Sequence, residues 1–202
     1  MWKLYRRGIT EYKDELFELY RRRLKKDKYK LGGFMPNQIY KRVVRVALMN
    51  GDAVFADKFI KKYKGELNPE FKTGVYNFAC SLCSFHKMDY GKALEYLAIA
   101  QNEDISHKID VKNLTLFINY DQKDFESLRL GLDSYRHFIG NNTTISDQVK
   151  NRASTVIKFL NKLMRLYFKY DEFEADKLKH NIDESADLEN REWILDKVKN
   201  IL

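Results

Sequence analysis

The chain has 202 residues, a net charge of +8, and only 2 prolines and 9 glycines, a composition that favours helix over sheet. No apolar run approaches the ~20 residues needed to cross a bilayer, and the basic N-terminus, MWKLYRRGITEYKDELF, is followed by no apolar stretch, so it does not read as a secretory signal. Cys80 and Cys83 are the only cysteines and lie too close in sequence to staple distant elements, which points to a reducing, cytoplasmic setting.

In chain order, Thr10 is placed to cap a leading helix over residues 11–26, with Leu16, Phe17, Leu19, Tyr20 and Leu24 on its apolar side. Asp14, Glu15 and Glu18 stand near its start and the cations near its end, an order that complements the helix dipole. Gly32-Gly33 breaks the chain. Pro36 suits the start of a helix to Asn50 that buries Ile39, Val43, Val46 and Ala47. Its partner runs from Asp52 to Lys64 and buries Val54, Phe55, Phe59 and Ile60. A second pair spans 69–101, split near Met88-Asp89-Tyr90-Gly91, and a third spans 109–139. Gly140-Asn141-Asn142 is a stop signal. Ser146 is placed to cap a long helix to about Phe168, with a shorter partner from Tyr170 to His180, so the fourth pair is 146–180. The acidic stretch IDESADLEN reads as a link. Trp193, Ile194, Val198 and Ile201 mark a terminal helix over 190–202 that shields the last pair's apolar end. With no Pro-rich, Ser-rich or low-complexity linker, residues 1–202 read as one continuous all-helical domain.

A repeat underlies this pattern. Asp52 and Ala56, Asp89 and Ala93, and Asp124 and Leu128 hold the same relative places. The second member of each pair follows its predecessor by 37 and then 35 residues. A helix–turn–helix with a period in the mid-thirties is the pattern of a helical solenoid.

The central repeat resembles the tetratricopeptide family. Ala93 and Ala56 match the small residue early in that family's second helix, Leu97 and Ile60 the large apolar residue four positions on, Ala100 the closing small residue, and Tyr90 and Phe125 the aromatic after the turn. The match is partial: Asn77, Cys80 and Ser81 stand where the family has tryptophan, leucine and glycine, Ile105 stands for its proline, and Leu128 departs at the small position. The helices containing KFLNKLMRL and REWILDKV are similar to the C-terminal part of uncharacterised bacterial helical-repeat proteins, in which case Met1 need not be the natural start. The resemblance implies an all-α, right-handed superhelix of stacked antiparallel helix pairs. It also implies a non-enzymatic protein- or peptide-binding scaffold. Its groove would be lined by Lys41, Arg45, Leu48 and Met49, by Phe78, Leu82, Phe85 and His86, and by Asn113, Phe117 and Tyr120. A basic end, an aromatic floor and an amide suit a peptide with an acidic group and apolar anchors.

Other chemistry is weakly marked. Cys80, Cys83 and His86 are spaced by three, but such donors spread along one rigid helix do not converge on one ion, so no metal site is expected. The CxxC lies mid-helix rather than at a helix N-terminus, where a redox pair would gain its low thiol pKa. The remaining histidines have no triad partners, no glycine-rich phosphate loop is present, and no cofactor is implied. Asp171, Glu172, Glu174 and Asp176 read as a solvated helix face. The alternative function is nucleic-acid binding. Residues 1–65 carry 18 Lys/Arg against 7 Asp/Glu, whereas residues 66–202 carry 19 against 22. In the densest part of that basic region, Arg21, Arg22, Arg23, Lys25, Lys26 and Lys28 would contact phosphates, with Tyr20 and Tyr29 available for stacking.

Overall fold

The structure, a computed structural model, describes residues 12–26, 29–101, 104–185, 188 and 190–201. Among them there are helices and no strands. The α-helices are α1 (Tyr12–Lys25), α2 (Asn37–Met49), α3 (Ala53–Tyr63), α4 (Pro69–His86), α5 (Tyr90–Ile99), α6 (Ile105–Asp121), α7 (Phe125–Asn141), α8 (Asp147–Phe168), α9 (Glu172–Glu184) and α10 (Arg191–Lys199), with a short 3-10 turn at Lys64–Glu66. Thr10, Glu11 and Lys28 lie outside the described residues, as do Ala186, Asp187 and Glu189 of the acidic stretch.

The chain divides into two compact units, Glu11–Ile118 and Asn119–Leu202, where the sequence reads as a single continuous domain. No glycine, proline or polar linker announces the boundary, because it falls inside α6. In the first unit α1 packs on α2, α2 on α3 and α4, α3 on α4, and α4 on α5. In the second, α7 packs on α8, α8 on α9 and α10, and α9 on α10.

Three helix junctions share one set of backbone hydrogen bonds. Gly51, Met88 and Lys123 each take a left-handed conformation, with φ of 75°, 59° and 59°. Each donates its N–H to the carbonyl three residues back, on Leu48, Phe85 and Tyr120. The following aspartate N–H then reaches five residues back, from Asp52 to Ala47, Asp89 to Ser84 and Asp124 to Asn119, each at 2.9 Å. These paired bonds close one helix. The same aspartate opens the next, because its carboxylate accepts from Phe55, Lys92 and Ser127 backbone N–H groups at 2.8, 3.2 and 3.0 Å. One residue therefore ends one helix and starts another, which is why the loop is so short.

Four residues beyond each aspartate stand Ala56, Ala93 and Leu128, all fully buried, and four further on Ile60, Leu97 and Leu132, nearly so. Burying a side chain of the larger kind stabilises by about 1.5–3 kcal/mol. Tyr40 adds a satisfied polar contact to the first unit's core: its buried hydroxyl donates to the Ile60 carbonyl at 2.7 Å.

Several boundaries differ from the sequence reading. Val54 is exposed, because the buried stripe of α3 runs through Ala56, Phe59 and Ile60. Helix α6 begins at Ile105 rather than Ile109, since Asp104 accepts from the His107 N–H at 2.9 Å and caps it early. Ser146 precedes α8 but makes no side-chain capping bond. Helix α9 runs on to Glu184 and buries Ile182, so the acidic stretch begins as helix. Arg191 holds that end of α9: its guanidinium donates to the carbonyls of Ile182, Asp183 and Ser185 at the helix C-terminus, where acceptors lack intrahelical partners or, at Ile182, share one with the Ser185 N–H.

Candidate functional site

In the first unit, Gln38, Lys41 and Arg45 recur at helical spacing on one face of α2. Ser106 and Asp110 recur on α6. The two faces meet. Gln38 Nε2 donates to Ser106 Oγ at 2.7 Å, Lys41 Nζ pairs with Asp110 Oδ2, and Arg45 Nη2 donates to Asp110 Oδ1 at 2.8 Å. Beneath them lies Phe78 of α4, fully buried, with Lys41 Nζ and Arg45 Cζ at 5.7 and 5.5 Å from its ring centroid. The His107 ring meets Phe78 edge-on at 5.4 Å.

Burial alone would raise the Asp110 pKa, but the charges of Arg45 and Lys41 outweigh it and hold the carboxyl well below its usual range. His107 is pulled down from its ordinary value, chiefly by burial and then by Lys41. Its Nε2 lies 2.6 Å from the Ala100 carbonyl. A carbonyl can only accept, so Nε2 carries the proton and Nδ1 is the bare nitrogen.

This seam occupies the place where an open groove was expected. Lys41, Phe78, Asn113 and Phe117 are buried, as are Leu48 and Leu82. Lys41 and Arg45 are turned onto Asp110, because two cations beside an apolar floor are costly to bury without a counter-charge. Met49 and Phe85 are half-buried, His86 is exposed, and Phe85 packs against Tyr90 at 6.0 Å. The last groove candidate belongs to the second unit. There Tyr120 is buried against Trp193 of α10 at 5.5 Å, while Asp121 accepts from Trp193 Nε1 at 3.1 Å and pairs with Lys197 at 2.8 Å.

On α1, Arg21, Arg22, Arg23 and Lys25 are all exposed, as is Lys26 just after it. Arg21 pairs with Glu18 at 3.0 Å. Tyr20 and Tyr29 are buried, Tyr29 edge-on to Tyr63 at 5.7 Å, so neither offers a ring for stacking. Cys83 is buried, and burial followed by Asp57 pushes its thiol up to about 12; burial also raises Cys80. Thiols held protonated are poor nucleophiles and poor metal ligands.

A different surface emerges at the closed end of the α8–α9 hairpin. Tyr167, Phe168, Tyr170 and Phe173 are 42%, 69%, 49% and 71% exposed. Phe125 supports the first two, at ring distances of 4.7 and 4.9 Å, and Lys123 Nζ lies 5.4 Å above Tyr167. Phe173 projects from the face of α9 opposite Ala175, Leu178 and Ile182, the residues that anchor the helix. Lys162 of α8 reaches Glu174 of α9 at 3.5 Å and ties the two arms together. Sequence reasoning passed over these aromatics. The available signal was that Phe168, Tyr170 and Phe173 fall off the buried spacing of their neighbours.

No helix among the described residues is long and apolar enough to cross a membrane. Comparison with protein families, with curated proteins and with solved structures gives no match.

Proposed function

We propose that this chain is a non-enzymatic helical scaffold that binds a protein or peptide, and that the α8–α9 hairpin tip is its binding surface. The observation that carries this reading is the set of four large aromatics in seven residues that remain in water. Large exposed apolar surface is uncommon unless a partner covers it, and aromatic residues are enriched in interfaces. The finer architecture proposed is a tetratricopeptide-like right-handed superhelix. It is supported by the three junctions that share one set of hydrogen bonds and by the aligned buried positions after them. A reducing compartment such as the cytoplasm suits the two free thiols.

The test is affinity capture from native cell extract, read by mass spectrometry, with wild type against Phe168→Ser/Phe173→Ser. The double variant is expected to lose the captured proteins while keeping its melting temperature. Equal capture by both would remove the tip as the binding surface. The nucleic-acid alternative has its own readout, the salt slope of binding to a random oligonucleotide, about −0.7 per phosphate contact on single strands.

A further inference from the structure

The arms of the hairpin differ in charge. On α8, Lys158 and Arg165 lie seven residues apart on one exposed face, and exposed Lys169 follows the helix. On α9, Glu172 and Asp176 are exposed one turn apart. Glu174, between them in sequence, is already engaged by Lys162 and Lys177. Lys177 Nζ also lies 5.7 Å from the Phe173 ring centroid, and Lys179 is exposed further along α9. Near the tip the exposed charges outside the Glu174 pairs are therefore cations on the α8 side, with Glu172 and Asp176 on the α9 side.

Such a surface complements itself. A two-fold axis through the aromatic centre would set Arg165 and Lys169 of one copy against Glu172 and Asp176 of the next, and the reverse contact follows by symmetry. An isologous contact of this kind is the commonest arrangement in soluble oligomers. At the exposures observed, the four rings offer roughly 400–500 Å² of aromatic surface per copy, against about 800 Å² per partner in a standard interface. The charged arms are placed to supply the polar rim. A partner of one charge sign would complement only one arm.

We infer that the occupant of the tip is a second copy of this chain, docked through the aromatic centre with its charged arms crossed. The inference rests on the proposed function, since it names the partner of the same surface. The experiment uses the full chain with a photo-crosslinking phenylalanine analogue at position 168, illuminated in the expressing cell and again after purification. An adduct of twice the chain mass is expected. Adducts with other proteins alone would overturn the second-copy assignment and leave the binding surface standing. No adduct of any mass would overturn both.

Charge swaps then test the crossed arms by sedimentation. Arg165→Glu/Lys169→Glu alone, and Glu172→Lys/Asp176→Lys alone, are each expected to weaken self-association at least tenfold. Mixing the two swapped chains should restore it. Mixed chains that stay apart, or a wild type that remains monomeric from low to high micromolar concentration, would overturn the inference.

Discussion

The α2–α6 seam and the α8–α9 tip invert each other. At the seam, charged and polar side chains are withdrawn from water and committed to one another: Lys41, Arg45 and Asp110 over Phe78, with His107 beside it. At the tip, aromatic side chains stand largely in water, with ring contacts to Phe125 and to one another and with Lys123 and Lys177 beside them. Each region places residues against their solvation preference. The seam resolves the conflict internally, because a carboxylate satisfies two cations at once. The tip leaves it unresolved, and that difference separates a feature that holds the fold from a feature available to a partner.

The comparison breaks most sharply at Asp110. Asp110→Ala strands two cations over an aromatic ring, and a loss of about 3–5 kcal/mol is expected. The loss should show in denaturant unfolding and as faster amide exchange in α2 and α6. Full protection in the variant would mean that the ion pairs contribute little.

Acid acts on the seam next. His107 is held below its ordinary value near 6.5, and Asp110 below 3.8. In both cases the unfolded chain takes up the proton first, so stability is lost as pH falls. The first loss begins below pH 6.5 and the second below pH 3.8, each continuing down through the folded value. His107→Gln, which keeps a donor but does not titrate, should remove the upper step. An unchanged melting profile between pH 7 and 5 in wild type would contradict the assignment.

Smaller effects belong to the junctions. Asp89→Ala removes the cap on α5 and should cost about 1 kcal/mol. Met88 holds φ of 59° with an exposed side chain, a conformation that costs an L-residue about 1–2 kcal/mol. Met88→Gly relieves it against a larger unfolded-state entropy, so a net gain of about 0.5–1 kcal/mol is expected in thermal unfolding. The smallest change sharpens the contrast. Phe168→Ser/Phe173→Ser should alter stability by less than about 0.5 kcal/mol, because rings left in water contribute little to the fold. A larger loss would reassign the tip to the fold.

Much of this molecule is local chemistry, and local chemistry was legible. The aspartate that caps the next helix, the small or apolar residue four positions later, and the amphipathic stripes of α1, α2 and α8 follow from rules spanning a few residues. The sequence therefore determined that the chain is helical, about where most helices lie, and that three junctions are alike. It left open what depends on residues far apart in the chain. Asp110 lies 69 residues from Lys41, and no periodicity on either helix announces that they meet. Hence cations expected to face a peptide are found neutralising a buried carboxylate, and tyrosines expected to stack on bases are found in the core. The boundary between the two compact units lies within one unbroken helix, where no glycine, proline or polar run marks it. Tertiary structure alone decided which charges are covered and which aromatics are not, because burial is set by what the rest of the chain brings alongside.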